Sequence, residues 1–279
     1  MAKLSLVVIE ESKLPASDDI QSPNSPKWSV GEAIGVWFAS VLLIMLIPSL
    51  FLLPYLATLS TPVANTDQIM EFAKSDPTSI ILQLVGIIPA HLLTLGLAWL
   101  VVTRMSRFRF RESLGWERGG FRWWHYFLIL SGFFALAAIV GHYFPEQENE
   151  LLRILKSSRE AVYVIAVIAT VTAPIVEEVV YRGVVYSSFQ AKFGVPAAFA
   201  FTTMLFAVVH VPQYYPSFST IFLLTLLSVI LTFIRIVSGN LLPCILLHMF
   251  FNGLQSIFLI AEPYLREQIP VEAVATLAK

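Results

Sequence analysis

The sequence holds one cysteine, Cys244. A single thiol cannot close an intramolecular disulfide, and it excludes cysteine-based zinc fingers and CxxC redox chemistry. Cys244 lies in an apolar run and is expected to pack as a small residue. Charge is scarce as well: 13% of residues are Asp, Glu, Lys or Arg, and the net charge is −1. A soluble domain carries roughly twice that charged share. Without a basic excess, nucleic-acid binding has no electrostatic footing. No Gly-rich phosphate loop, heptad seam, internal repeat or HExxH zinc signature is found.

Apolar residues are abundant. They make up 57% of the 279 residues, with a mean hydropathy of +0.74. One soluble core of this length cannot bury so much apolar surface, so lipid is the natural solvent for the excess. The sequence therefore predicts an all-α, polytopic bundle of transmembrane helices. A spanning helix needs about 20 apolar residues. Seven runs qualify: Ala33 to Ser60, Pro77 to Thr103, Trp123 to Phe144, about Ala161 to Gln190, Val195 to Val211, Ser217 to Ile234 and Leu241 to Ile260. An eighth span would need one run to split or the tail to dip into the interface.

The implied organisation is a polar, disordered tail over 1–27, three spans with their loops over 28–160, a catalytic core over 161–261 and a short polar tail over 262–279. Between the second and third runs lies an Arg-rich loop, 104–122, with Arg104, Arg107, Arg109, Arg111, Arg118 and Arg122. By the positive-inside rule that loop is cytoplasmic, and so are the amino terminus and the turns at Lys192–Gly194 and Arg235–Asn240. The expected location is a prokaryotic plasma membrane.

Ionisable groups inside spanning helices cost several kcal/mol each and suggest function by default. The fourth run contains Glu177-Glu178-Val179-Val180-Tyr181-Arg182. Glu178 and Arg182, four residues apart, share a helical face and can pair. Glu177 points about 100° away, without a charged partner on its own helix, and is free to act as a general base or acid. The fifth run carries His210; the seventh carries His248 and, one turn on, Asn252.

These groups can meet at one depth. Glu177 and His210 each lie about 16 residues from the turn joining their helices, so both are about 25 Å from it. His248 lies about 12 Å into its helix, which brings it level if the fourth–fifth hairpin protrudes by about 10 Å. Together, Glu177 and His210 could polarise a water for attack on a carbonyl, and His248 and Asn252 could donate to the resulting oxyanion. The same carboxylate and imidazoles, Glu177, His210 and His248, are also a Zn²⁺ set on paper.

At these residues the chain resembles the CPBP family, the CAAX-protease and bacteriocin-processing group of intramembrane proteases, also called the Abi family. That family shows EExxxR, FxxxH and HxxxN in order on separate helices. Here they read Glu177-Glu178…Arg182, Phe206…His210 and His248…Asn252. The resemblance implies an intramembrane endopeptidase acting on membrane-associated substrates, with lipid-modified CAAX-like ones among the candidates, since eukaryotic members cut a tripeptide after a prenylated Cys. It implies Glu177 and His210 as water activators, Glu178 and Arg182 as support, and His248 and Asn252 on the oxyanion side. Members have been described both as metalloproteases and as metal-free, glutamate-dependent enzymes. Asn is a poor zinc ligand, which favours no cofactor and leaves Zn²⁺ as the alternative. A non-proteolytic scaffold or bacteriocin-immunity protein, and an ion-coupled transporter, are the competing functions. The expected partners are a membrane-bound peptide and the bilayer, with no nucleic acid. His91, His125 and His142 read as packing or interfacial residues, and Tyr214 and Tyr215 as a belt at an outer turn.

Overall fold

The computed structural model describes residues 21–59 and 65–268. Residues 1–20 of the expected tail, the expected end of the first run at Ser60, and the tail beyond 268 lie outside the described residues.

The described chain is helical throughout, with seven helices long and apolar enough to cross a membrane. In order they are α1 (Val30–Leu50) with its short continuation α2 (Leu53–Leu56), α3 (Thr66–Ser75), α4 (Pro77–Val102), α5 (Phe110–Leu114), α6 (Trp123–Tyr143), α7 (Glu150–Ser157), α8 (Arg159–Phe193), α9 (Val195–Tyr214), α10 (Phe218–Ser238) and α11 (Leu242–Gln268). The seven apolar runs thus each become one spanning helix, and the protein is a multi-pass membrane protein.

Polar side chains at the ends set the boundaries. Ser29 starts α1 through a reciprocal box: its Oγ accepts from Glu32 N–H at 3.2 Å, and Glu32 accepts from Ser29 N–H at 2.7 Å. Asp76 caps α4 just ahead of Pro77, accepting from Ser79 N–H at 2.8 Å. Ser158 does the same for α8 through Ala161 N–H at 3.0 Å. Gly194 (φ 82°) closes α8, and Gly239 (φ 66°) closes α10.

α8 is longer at both ends than the apolar run from Ala161 to Gln190, because its cap and its stop are polar or conformational signals rather than apolar ones. Its 35 residues extend about 50 Å, against about 30 Å of hydrocarbon. α11 likewise continues to Gln268, so the first residues of the expected polar tail are helical.

α1 packs along α4, closest where Gly86 faces Pro48; a Cβ at 86 would lie 2.8 Å from Pro48 Cα. The main core gathers Val36 and Val102 with Leu114, Val184, Phe206 and Leu241. Met45, Leu92, Phe127, Val208, Phe233 and Phe258 point outward and are exposed, as side chains facing lipid tails should be.

Residues 21–28 differ from the expected loose tail. Gln21 donates to Val102 O at 2.8 Å, and the buried Trp28 indole donates to Val184 O at 2.9 Å. Pro23 O and Asn24 Oδ1 accept from Arg235 at 2.8 and 3.3 Å. Gly115 adds a junction beside them. Its φ of 72° needs glycine, a Cβ there would lie 2.8 Å from Pro23, and its carbonyl accepts from the Leu241 N–H that leads into α11 at 2.8 Å. The Arg-rich loop, the docked segment and the start of α11 therefore meet at one end of the bundle.

Candidate active site

The carboxylates sit on a helix that is not uniformly α. Within α8, Ile168–Thr172 and Val179–Val185 are π-helical, and Glu177 and Glu178 lie on the six-residue α stretch between them. The amide of Ala173 reaches back to Ile168 O, and that of Tyr186 to Tyr181 O, five residues rather than four. Wide turns of this kind concentrate at functional sites. They rotate the residues beyond them, so faces cannot be read from a 3.6-residue period alone.

Glu178 and Arg182 form the dry half. Both side chains are fully buried, and Arg182 Nη1 donates to Glu178 Oε1 at 2.9 Å, the pairing expected from their spacing. α10 completes the guanidinium shell. Arg182 Nη2 donates to Ser228 Oγ at 2.7 Å and to Ser228 O at 3.0 Å, while Nε donates to Thr232 Oγ1 at 3.3 Å. Phe206 covers the guanidinium, its ring centroid 4.7 Å away. The Phe of FxxxH is therefore a lid over a buried cation, and it also stands 4.6 Å from the His210 ring. Ser228 and Thr232 lie outside all three signatures, and only tertiary contact reveals them.

Glu177 forms the wetter half. Its side chain is 23% exposed and that of His210 is 18% exposed, against none for Glu178. Of the two acids, only Glu177 can meet water. Its Oε1 lies 4.0 Å from His210 Nε2, and its Oε2 lies 3.8 Å from His248 Nε2. These gaps are too wide for direct hydrogen bonds, but one water making two bonds of about 2.8 Å can bridge them. Each ring is oriented from behind. His210 Nδ1 meets Phe206 O at 2.7 Å, and since a carbonyl only accepts, Nδ1 carries a proton and Nε2 faces Glu177. His248 Nδ1 meets Glu178 Oε1 at 2.9 Å, which links the dry half to the wet one.

Glu177, His210 and His248, from three separate helices, thus stand around one point. Asn252, expected on the oxyanion side, makes a contact that its spacing does not announce. Its amide donates to Ala169 O in the first π stretch at 2.7 Å, so it ties α11 to α8. One turn further, Thr170 and Ser256 hydroxyls meet at 3.1 Å. His91, read from sequence as a packing residue, is buried, bonds Thr172 Oγ1 at 3.0 Å, and lies within electrostatic range of the Glu177 carboxylate, as does Tyr214. A histidine without a charged neighbour in sequence gives no signal of this.

Zinc–ligand bonds of about 2.0–2.2 Å at a tetrahedral angle put donor atoms about 3.3–3.6 Å apart, while Glu177 stands 4.0 and 3.8 Å from its two imidazoles. Among the described residues, no group of three or more His, Cys, Asp or Glu is spaced to hold a metal ion.

Fold and site together define a polytopic membrane protein with a carboxylate–imidazole cluster sunk in its helices. Residues 159–254 match the family model described as Type II CAAX prenyl endopeptidase Rce1-like. That segment contains all three signatures, and its likeness is consistent with the CPBP/CAAX protease family. No curated protein and no solved structure matches the chain.

Proposed function

We propose that the chain is an intramembrane endopeptidase that hydrolyses peptide bonds of membrane-associated substrates with a water activated by Glu177 and His210. The observation that carries this reading is the placement of the Glu177 carboxylate between two imidazole Nε2 atoms, at 4.0 and 3.8 Å. A water in that gap gives a proton to Glu177 while His210 Nε2 accepts its second hydrogen bond, and the oxygen attacks the scissile carbonyl. His248 is the oxyanion donor. Glu178 holds its Nδ1 at 2.9 Å, which turns Nε2 toward the site, where an N–H would meet the developing negative oxygen. The proton taken by Glu177 passes to the leaving amine as the tetrahedral intermediate collapses.

Glu178, Arg182 and Asn252 act through others: the first two hold His248, and Asn252 holds the helix that carries the acids. This reading routes no step through a metal. The segment's likeness to prenyl endopeptidases makes a lipid-modified, CAAX-type peptide the first substrate class to try. The charge bias places the Arg-rich loop in the cytoplasm with the amino terminus.

The test is cleavage of a farnesylated peptide ending in a CAAX tetrapeptide, beside an unmodified transmembrane peptide, by the purified full chain in lipid nanodiscs. Glu177→Gln is expected to lower kcat by about 10²–10⁴-fold. Undiminished turnover by that variant would sink the assignment.

A further inference from the structure

Arg235 on α10 is 1% exposed, and its hydrogen-bond partners among the described residues are all neutral. Its Nε donates to Arg182 O at 3.3 Å, Nη1 to Asn24 Oδ1 at 3.3 Å, and Nη2 to Pro23 O at 2.8 Å and Ser187 Oγ at 3.2 Å. The Tyr186 ring lies under the guanidinium at 5.1 Å. A buried charge of this kind is costly, and a purely structural carbonyl contact does not call for one.

The geometry of α8 explains the position. The last wide-turn bond runs from Tyr186 N–H to Tyr181 O. Ordinary helical spacing then pairs the next amide, Ser187, with Gly183 O. The carbonyl of Arg182 is skipped, and a buried carbonyl needs a donor. Arg235 Nε supplies it. The first π stretch obeys the same arithmetic. Ala173 N–H takes Ile168 O, Pro174 has no N–H, and the skipped carbonyl of Ala169 takes the amide of Asn252. The two skipped carbonyls flank Glu177 and Glu178, and each is met by a side chain from another helix. Trp28 adds a third donor at Val184 O, inside the second π stretch.

We infer that Arg235 is a positioning residue for the reaction proposed above, held in place by the docked segment Pro23–Asn24 and assisted by Trp28. Relaxing a π turn to α geometry takes up one residue and rotates the chain beyond it by about 100°. The carboxylates of Glu177 and Glu178 would then turn relative to His210 and His248, which are held on α9 and α11. By filling the skipped carbonyl, Arg235 makes the wide turn the stable one. The reach of the site thus extends to residues 23–28, far outside the segment 159–254.

The inference rests on the hydrolase reading for its kinetic arm and stands apart from it in a second arm. Arg235→Gln, Arg235→Lys and Trp28→Phe are made in the full chain. Each is assayed for kcat and KM on the farnesylated CAAX peptide, for amide hydrogen exchange across 179–188, and for thermal midpoint. For Arg235→Gln, kcat is expected to fall about 10-fold or more with KM within about 2-fold. Exchange is expected to rise across 179–188 and to stay unchanged in α4 and α6. Arg235→Lys is expected to recover part of both, and Trp28→Phe to show the smaller effect of losing one N–H. Unchanged exchange across 179–188 in both Arg235→Lys and Trp28→Phe overturns the inference, as does a kcat loss that merely follows the thermal midpoint. If the wild-type chain cleaves neither peptide, the hydrolase reading fails, and the exchange measurement alone decides whether Arg235 holds the turn. If Arg235→Gln does not fold, the other two variants decide it.

Discussion

Arg182→Met isolates the energetics of the buried pair. Glu178 and Arg182 are both 0% exposed, 2.9 Å apart. Methionine keeps an apolar stem and removes the charge together with its bonds to Glu178, Ser228 and Thr232. Glu178 is left with His248 as its partner in the same dry setting. Removing one member of a buried pair costs about 3–5 kcal/mol, because the other charge stays desolvated. For a chain of this size each kcal/mol lowers the midpoint by about 2–4 °C, so a drop of roughly 6–20 °C is expected. Glu178→Gln combined with Arg182→Met removes both charges and leaves His248 a neutral acceptor. That double variant is expected to recover to within about 1–2 kcal/mol of wild type. It should nonetheless be a poor enzyme, since His248 has lost its carboxylate. The assay is thermal unfolding of wild type, both single variants and the double variant in one detergent, followed by tryptophan fluorescence, with kcat measured in parallel. A midpoint within about 2 °C of wild type for Arg182→Met, or a double variant no more stable than that single one, refutes the reasoning.

Three further outcomes are expected. Asn252→Ala orphans the Ala169 carbonyl and should cost about 1–3 kcal/mol in chemical unfolding, with a fall in kcat; unchanged stability would show that its amide does not hold α8. Gly115→Ala places a Cβ 2.7 Å from Asn240 Oδ1 at a φ of 72°, so the thermal midpoint should fall by an amount equivalent to at least about 1–2 kcal/mol. Peptide cleavage should persist in excess zinc chelator; loss under chelation with recovery on added Zn²⁺ would replace the water-and-glutamate mechanism by a metal one.

Much of this architecture is legible one residue at a time. Hydrocarbon excludes charge, so the apolar runs mark the spans directly, and the same exclusion makes Glu177, Glu178, Arg182, His210 and His248 conspicuous. The Glu178–Arg182 pair follows from their four-residue spacing. Helix rise places Glu177 and His210 at one depth, and His248 joins them if the hairpin between α8 and α9 protrudes by about 10 Å. The partners of Asn252 and Arg235 are not legible, because they depend on which way each helix faces. Two π turns shift that facing within α8, and no apolar period records them. His91 and the segment 21–28 are hidden for a related reason: their partners lie more than 80 residues away in sequence, at Thr172, Val184 and Arg235.

The order of residues alone determined a seven-span bundle and the chemical identity of its buried polar groups, since solvation cost acts on each side chain wherever the chain places it. Tertiary structure decided that the Glu178–Arg182 pair is sealed while Glu177 keeps access to water, and that the amide of Asn252 bonds Ala169 O. It also decided that a distant arginine steadies the helix between them. Those outcomes depend on rotation about helix axes, and rotation is fixed by packing and by skipped carbonyls finding donors.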